Sequence, residues 1–132
     1  MPVSFSQITN EKSIPSQIRL TKGVEFVGII NNQGRIENYV CDADISLIRE
    51  KKEMFYMSVV LQHKMLGDFD DDFEAIKYTV TERGKSKFVT IPFFSKIIFI
   101  KMKKEINHLR LINKIFAFFL ADNKNPDFRI QQ

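Results

Sequence analysis

Residues 23–41 read Gly-Val-Glu-Phe-Val-Gly-Ile-Ile-Asn-Asn-Gln-Gly-Arg-Ile-Glu-Asn-Tyr-Val-Cys. From Phe26 to Ile30 the run is almost continuously apolar and rich in β-branched residues. A run without alternation predicts a strand buried on both faces. Asn31-Asn32-Gln33-Gly34 then supplies turn chemistry, and Gly34 is free to take a positive φ. After Arg35 the pattern changes to alternation. Ile36, Asn38 and Val40 share one face, and Glu37, Tyr39 and Cys41 share the other. That predicts a second, less buried strand, and with it a β-hairpin.

Past the hairpin, residues 45–66 contain neither Gly nor Pro. They predict one long helix, with Asp44 placed to cap it and Gly67 to end it. Ile48, Phe55, Val59 and Gln62 or Leu66 form one stripe, and Met54, Met57, Leu61 and Met65 a second beside it. An acidic link, residues 68–74, leads to three predicted strands: 75–82, 86–92 and 97–102. Gly84 marks the first turn between them and residues 92–96 the second. The 97–102 run is again continuously apolar, which makes it a central strand. Asn107 is placed to cap a last helix reaching about residue 120. Before the hairpin, Phe5, Ile8, Ile14, Ile18 and Leu20 recur at roughly helical spacing. Pro15 either breaks that helix or sits in the first turn of a second one.

The element order is α–β–β–α–β–β–β–α, an α+β chain. Two hairpin units around a long helix predict one five-stranded antiparallel sheet with helices on both faces. Placing the two apolar-run strands at the centre gives the strand order 2-1-5-4-3. Residues 1–122 form one domain and 123–132 a polar tail.

Composition narrows the function classes. The chain has 132 residues, 44% of them hydrophobic, which is enough for a real core. Its 13 Phe and no Trp offer large apolar area with no polar handle, so they need burial in a core or an interface. The net charge of +4 is mild, and well-represented Asp and Glu count against a dedicated nucleic-acid binder. One cysteine excludes an internal disulfide and points to a reducing, cytoplasmic setting. No apolar run is long enough to span a bilayer.

The pattern resembles the roadblock/LC7 family, within a wider profilin-like and longin-like set, over about residues 4–121. The likeness rests on Gly23-Val24-Glu25, the Asn31-Asn32-Gln33-Gly34-Arg35 turn, the long middle helix, the Arg83-Gly84-Lys85 turn, and the run 97–102 before a last helix. A divergent branch of archaeal type is the expectation. The resemblance implies no enzyme and no cofactor. It implies a homodimer, built by pairing third strands edge to edge and packing middle helices together. Such a domain is a scaffold or signalling adaptor, with a small GTPase among its partner classes. In this chain the implied interface is Met54, Phe55, Met57, Leu61 and Met65 on the helix, with Lys77, Tyr78, Thr79, Val80 and Thr81 as the pairing edge. Lys77 and Glu82 are also residues that could guard an edge against pairing.

No catalytic or metal set emerges. Asp68, Asp70 and Asp72 have the spacing of the first three EF-hand ligands, but Phe73 and Thr79 stand where that loop needs Gly and Glu. His63, His108 and Cys41 read as structural residues, Cys41 as a buried or inert thiol. Two further readings stay open. One is a PAS- or GAF-like sensor whose Phe residues line a cavity. The other is a nucleic-acid patch of Lys96, Lys101, Lys103, Lys104, His108, Arg110 and Lys114, with Phe94 and Phe99 as stacking platforms.

Overall fold

The computed structural model describes residues 13–41, 45 and 47–122, apart from the side chains of residues 118 and 120–122. The order is α1 (Ile14–Arg19), β1 (Val24–Ile30), β2 (Ile36–Cys41), α2 (Arg49–Gly67), α3 (Asp70–Phe73), β3 (Thr79–Glu82), β4 (Ser86–Phe93), β5 (Lys96–Lys103) and α4 (His108–Asp122). The five strands form one sheet in the order β2-β1-β5-β4-β3, every pair antiparallel. This is the α+β fold and strand order expected from the sequence.

The two apolar runs pair with each other. Val27 lies opposite Ile100, Gly28 opposite Phe99 and Ile29 opposite Ile98. Each run is buried on both faces, so the sheet divides two cores. Val27, Ile29, Ile98 and Ile100 meet α1 and α4 through Ile14, Ile18, Leu111, Ile112 and Ile115. Phe26, Ile30, Ile97 and Phe99 meet α2 through Tyr56, Val59 and Val60. Phe99 is the hub of the second core. Its ring lies 5.4–6.0 Å from those of Phe26, Phe55, Tyr56 and Phe88. These rings fill the space between helix and sheet by edge-on and tilted contact.

Local chemistry accounts for the element ends. Pro15 sits in the first turn of α1, where its missing N–H costs nothing. Asn107 caps α4, its Oδ1 accepting from the amides of Leu109 at 3.0 Å and Arg110 at 3.3 Å. Asn31 organises the hairpin turn, its Oδ1 accepting from the amides of Gln33 and Arg35.

Three boundaries differ from expectation. Helix α2 starts at Arg49, with Ile48 extended at φ −66°, ψ 161°. Ile45 is buried in the α2-side core and Leu47 packs against it, so the chain before Arg49 is used for packing. Asp44, the expected cap, lies outside the described residues, as do Phe5, Ile8 and the tail 123–132. Gly67 is the last residue of α2, and Asp68 is the cap beyond it. Strand β3 is four residues long instead of eight. Continuing the β3–β4 register, in which Thr79 faces Thr90, would set Lys77 against Pro92. Proline has no amide hydrogen for a ladder.

Gly34 adopts φ +81°, and a Cβ there would lie 2.9 Å from the Cα of Met57. The turn therefore touches the backbone of α2. Gly34→Ala is expected to lose about 1–3 kcal/mol of stability, from left-handed strain and the forced separation of turn and helix. Urea unfolding followed by circular dichroism measures it; an unchanged midpoint would refute the close approach.

Candidate interaction surface

Helix α2 carries more apolar side chains than its contact with the sheet uses. Tyr56, Val59 and Val60 are buried, and Phe55 and His63 are half-buried, a stripe at helical spacing. Tyr56 and Val60 occupy the positions that the sequence reading gave to Gln62 and Leu66, which are exposed. The second stripe is as expected in composition and stands in the open. Met54 is 70% exposed, Met57 38%, Leu61 49% and Met65 69%. Phe55 does not belong with them, because it packs on Phe88 and Phe99.

The open stripe continues past the helix. Phe69 and Phe73 are exposed and stack on one another at 6.4 Å. The sequence reading folded them into an acidic loop and missed them. Their i, i+4 spacing was the available signal, since it matches one helical turn.

At the edge of the sheet, β3 pairs on one side only, with β4. Thr79, Val80 and Thr81 lie in this edge strand; Lys77 and Tyr78 precede it. Tyr78 and Val80 lean on the core beneath α1 and α4. Thr79 is tied inward, its hydroxyl hydrogen-bonding that of Thr90. Thr90 Oγ1 in turn lies 2.7 Å from His63 Nε2. With a neutral imidazole accepting at Nε2, Thr90 donates to His63 and accepts from Thr79. A three-residue polar chain thus joins α2 to the edge strand.

The remaining candidates are dispersed. Residues 70–73 form a helical turn, and among the described residues no group of three His, Cys, Asp or Glu is arranged to hold a metal. His108 Nδ1 lies 3.0 Å from Nζ of Lys87, which also donates to the Ile106 carbonyl at 2.6 Å. Cys41 is exposed, which removes the buried form of the buried or inert thiol expected. It lies opposite Phe26 on the α2 side, beyond the cover of the helix. In the basic patch, Lys96 pairs with Glu37 at 2.7 Å and Lys101 with Glu25 at 3.2 Å. Hydrogen bonds from Lys96, then from Asn31, hold the Glu37 carboxyl below the usual carboxylate range. Phe99 is fully buried and cannot stack on a base. Phe55, Phe88 and Phe99, in the interior, pack against one another. Among the described residues no helix is long and apolar enough to cross a membrane.

The fold is that of the roadblock/LC7 domain. Solved structures of that class superpose on most of the chain. A roadblock/LC7 domain from Streptomyces avermitilis gives a TM-score of 0.64 at 7% identity, over 83% of this chain and 92% of that one. MglB from Myxococcus xanthus gives 0.67 at 8% identity, over 86% and 91%. MglC from the same organism gives 0.52 at 11% identity, over 89% and 96%. The likeness is one of fold, and none of these structures supports the archaeal origin expected. No family model matches the sequence, and no curated protein matches it.

Burial holds the pKa of His63 below the ordinary imidazole value. The unfolded chain therefore binds this proton more readily than the folded one. The stability contribution is complete above the unfolded value of about 6.5 and is lost as pH falls through it toward the folded pKa. His63→Gln is expected to flatten that acid-side loss in denaturation midpoints taken across this range. Identical pH profiles for the variant and the parent would refute it.

Proposed function

We propose that this protein is a non-enzymatic, homodimeric interaction domain that recognises partners through the α2 face of its sheet. The observation that carries the reading is the open stripe of Met54, Met57, Leu61 and Met65. Fully burying a side chain of this size is worth about 1.5–3 kcal/mol, so four together can support an association. Methionine suits the role, because its flexible thioether adapts to irregular partner surfaces. The sheet edge supports the same arrangement. β3 leaves its outer side unpaired, and a two-fold axis through that edge would continue the sheet and bring both α2 helices to one face. Thr79, Val80 and Thr81 are then the pairing residues, with Lys77 and Tyr78 alongside. The roadblock/LC7 fold supports the class, and a small GTPase is a partner class that the resemblance implies. A scaffold or signalling adaptor is the role that fits such a surface.

Light scattering coupled to size exclusion tests the assembly. The parent chain is expected to run as a dimer at micromolar concentration. Met57→Asp and Leu61→Asp are each expected to raise the dissociation constant by about tenfold or more, since each places a charge in an apolar contact. Both side chains are substantially exposed, so folding is retained. A monomeric parent, or a dimer indifferent to both substitutions, would overturn the proposal.

A further inference from the structure

The sheet face opposite α2 has a different character. Residues 13–24, which contain α1, include Arg19 and Lys22 and no carboxylate; residues 106–121, most of α4, include Arg110 and Lys114 and no carboxylate. Glu50 and Glu53 belong to α2, which packs on the other side of the sheet, and the nearest carboxylates in sequence to these segments are Glu25, Glu105 and Asp122, the last residue of α4. Among the described residues no carboxylate pairs with Lys22, Arg110 or Lys114.

Large apolar side chains stand open amid these cations. Leu20, where α1 ends, is 80% exposed, and Leu109, in the first turn of α4, is 48% exposed. Lys22 follows Leu20 by two residues, and Arg110 adjoins Leu109. Between the two helices lies a hollow of about 270 Å³ lined by Leu20, Leu111, Ile115 and Phe119, with Lys114 among its lining residues. Cations around exposed leucines and an apolar hollow match a lipid interface. The leucines enter the boundary between headgroup and acyl chain, and the cations meet lipid phosphates.

From this juxtaposition we infer that the α1–α4 face is a peripheral docking surface for an anionic phospholipid bilayer. A single-stranded nucleic acid would match the charge, but its bases stack on aromatic platforms. The most exposed large side chain here is an aliphatic leucine, and the hollow is walled mainly by aliphatic groups. The surface is independent of the α2 stripe and of any dimer.

Flotation of the full chain with vesicles tests the assignment. The probes are phosphatidylcholine alone and phosphatidylcholine with about a third phosphatidylserine. Binding is expected to the anionic vesicles only, and to weaken as salt screens the charges. Arg110→Glu combined with Lys114→Glu is expected to cut partitioning by about tenfold or more, because each basic residue at an anionic surface contributes about fivefold. Leu20→Asp is expected to lower it at unchanged melting temperature, and Leu20→Ser to lower it less. Lys51→Glu, the same charge change on α2, is expected to leave it unaltered. Absence of binding at low salt, equal binding to neutral vesicles, or equal loss with Lys51→Glu would each overturn the inference. So would salt-sensitive binding to a single-stranded oligonucleotide that survives Leu20→Asp, with no vesicle binding.

Discussion

The pairing of β1 with β5 is the constraint from which the other features follow. Neither strand has a face that tolerates water, since Val27, Ile29, Ile98 and Ile100 point one way and Phe26, Ile30, Ile97 and Phe99 the other. A sheet with such a centre must be covered on both sides. Three helices do this unequally. Among the described residues α1 and α4 together cover one face, while α2 is the one helix on the other, with Ile45 and Leu47 of the preceding segment beside it. Phe99 shows what that single helix must accommodate, since four rings surround it. Gly34 matters for the same reason, because the hairpin turn and α2 approach more closely than a Cβ allows.

Single-helix cover explains where the open apolar surface lies. The sheet takes the stripe through Tyr56, Val59 and Val60, and the opposite stripe stands largely exposed, with Met57 beside the hairpin turn at Gly34. β2 lies beyond the helix on the same face, so Tyr39 is exposed while its ring stacks on Phe26 at 5.7 Å. A groove of about 500 Å³ between β2 and the N-terminal half of α2 follows from the same geometry. Exposed apolar area on α2 is thus a consequence of fold economy combined with side-chain choice. A solvent-facing helix stripe needs no methionines, and the chain places three there.

What the sequence disclosed depended on whether the signal was local. Continuous runs and alternation report burial directly, so the central strands, the hairpins and the strand order could be read from residues 24–30, 36–41 and 97–102. Pro15 and Asn107 are equally local, each acting within one helical turn. The misreadings needed information about a partner segment. The stripe expected through Phe55, Val59 and Gln62 or Leu66 omits Tyr56, yet Tyr56 is buried against the sheet beside Phe55. Ile76, Tyr78 and Val80 alternate like a strand, and their side chains are half-buried. Alternation records that burial, but a ladder also requires amides opposite, and the register brings Pro92 there instead. Lys87 carried no expectation and needed the same kind of information. It is buried on β4, and its partners Ile106 and His108 lie 19 and 21 residues away. No spacing rule reaches that far.

The two faces differ in the chemistry they could recognise. The α2 face combines methionines with a scatter of both charge signs, which suits an adaptable protein contact. The α1–α4 face combines exposed leucines with Lys22, Arg110 and Lys114, which suits a surface of lipid phosphates. A two-fold axis at the β3 edge, perpendicular to the sheet, would keep these roles apart. It leaves both α2 helices on one side and both α1–α4 faces on the other. A pair of weak membrane contacts held in one plane binds far more strongly than either alone, because the second is intramolecular once the first has formed. In the proposed dimer, the same edge that assembles the protein-facing platform would align the two cationic faces toward one bilayer.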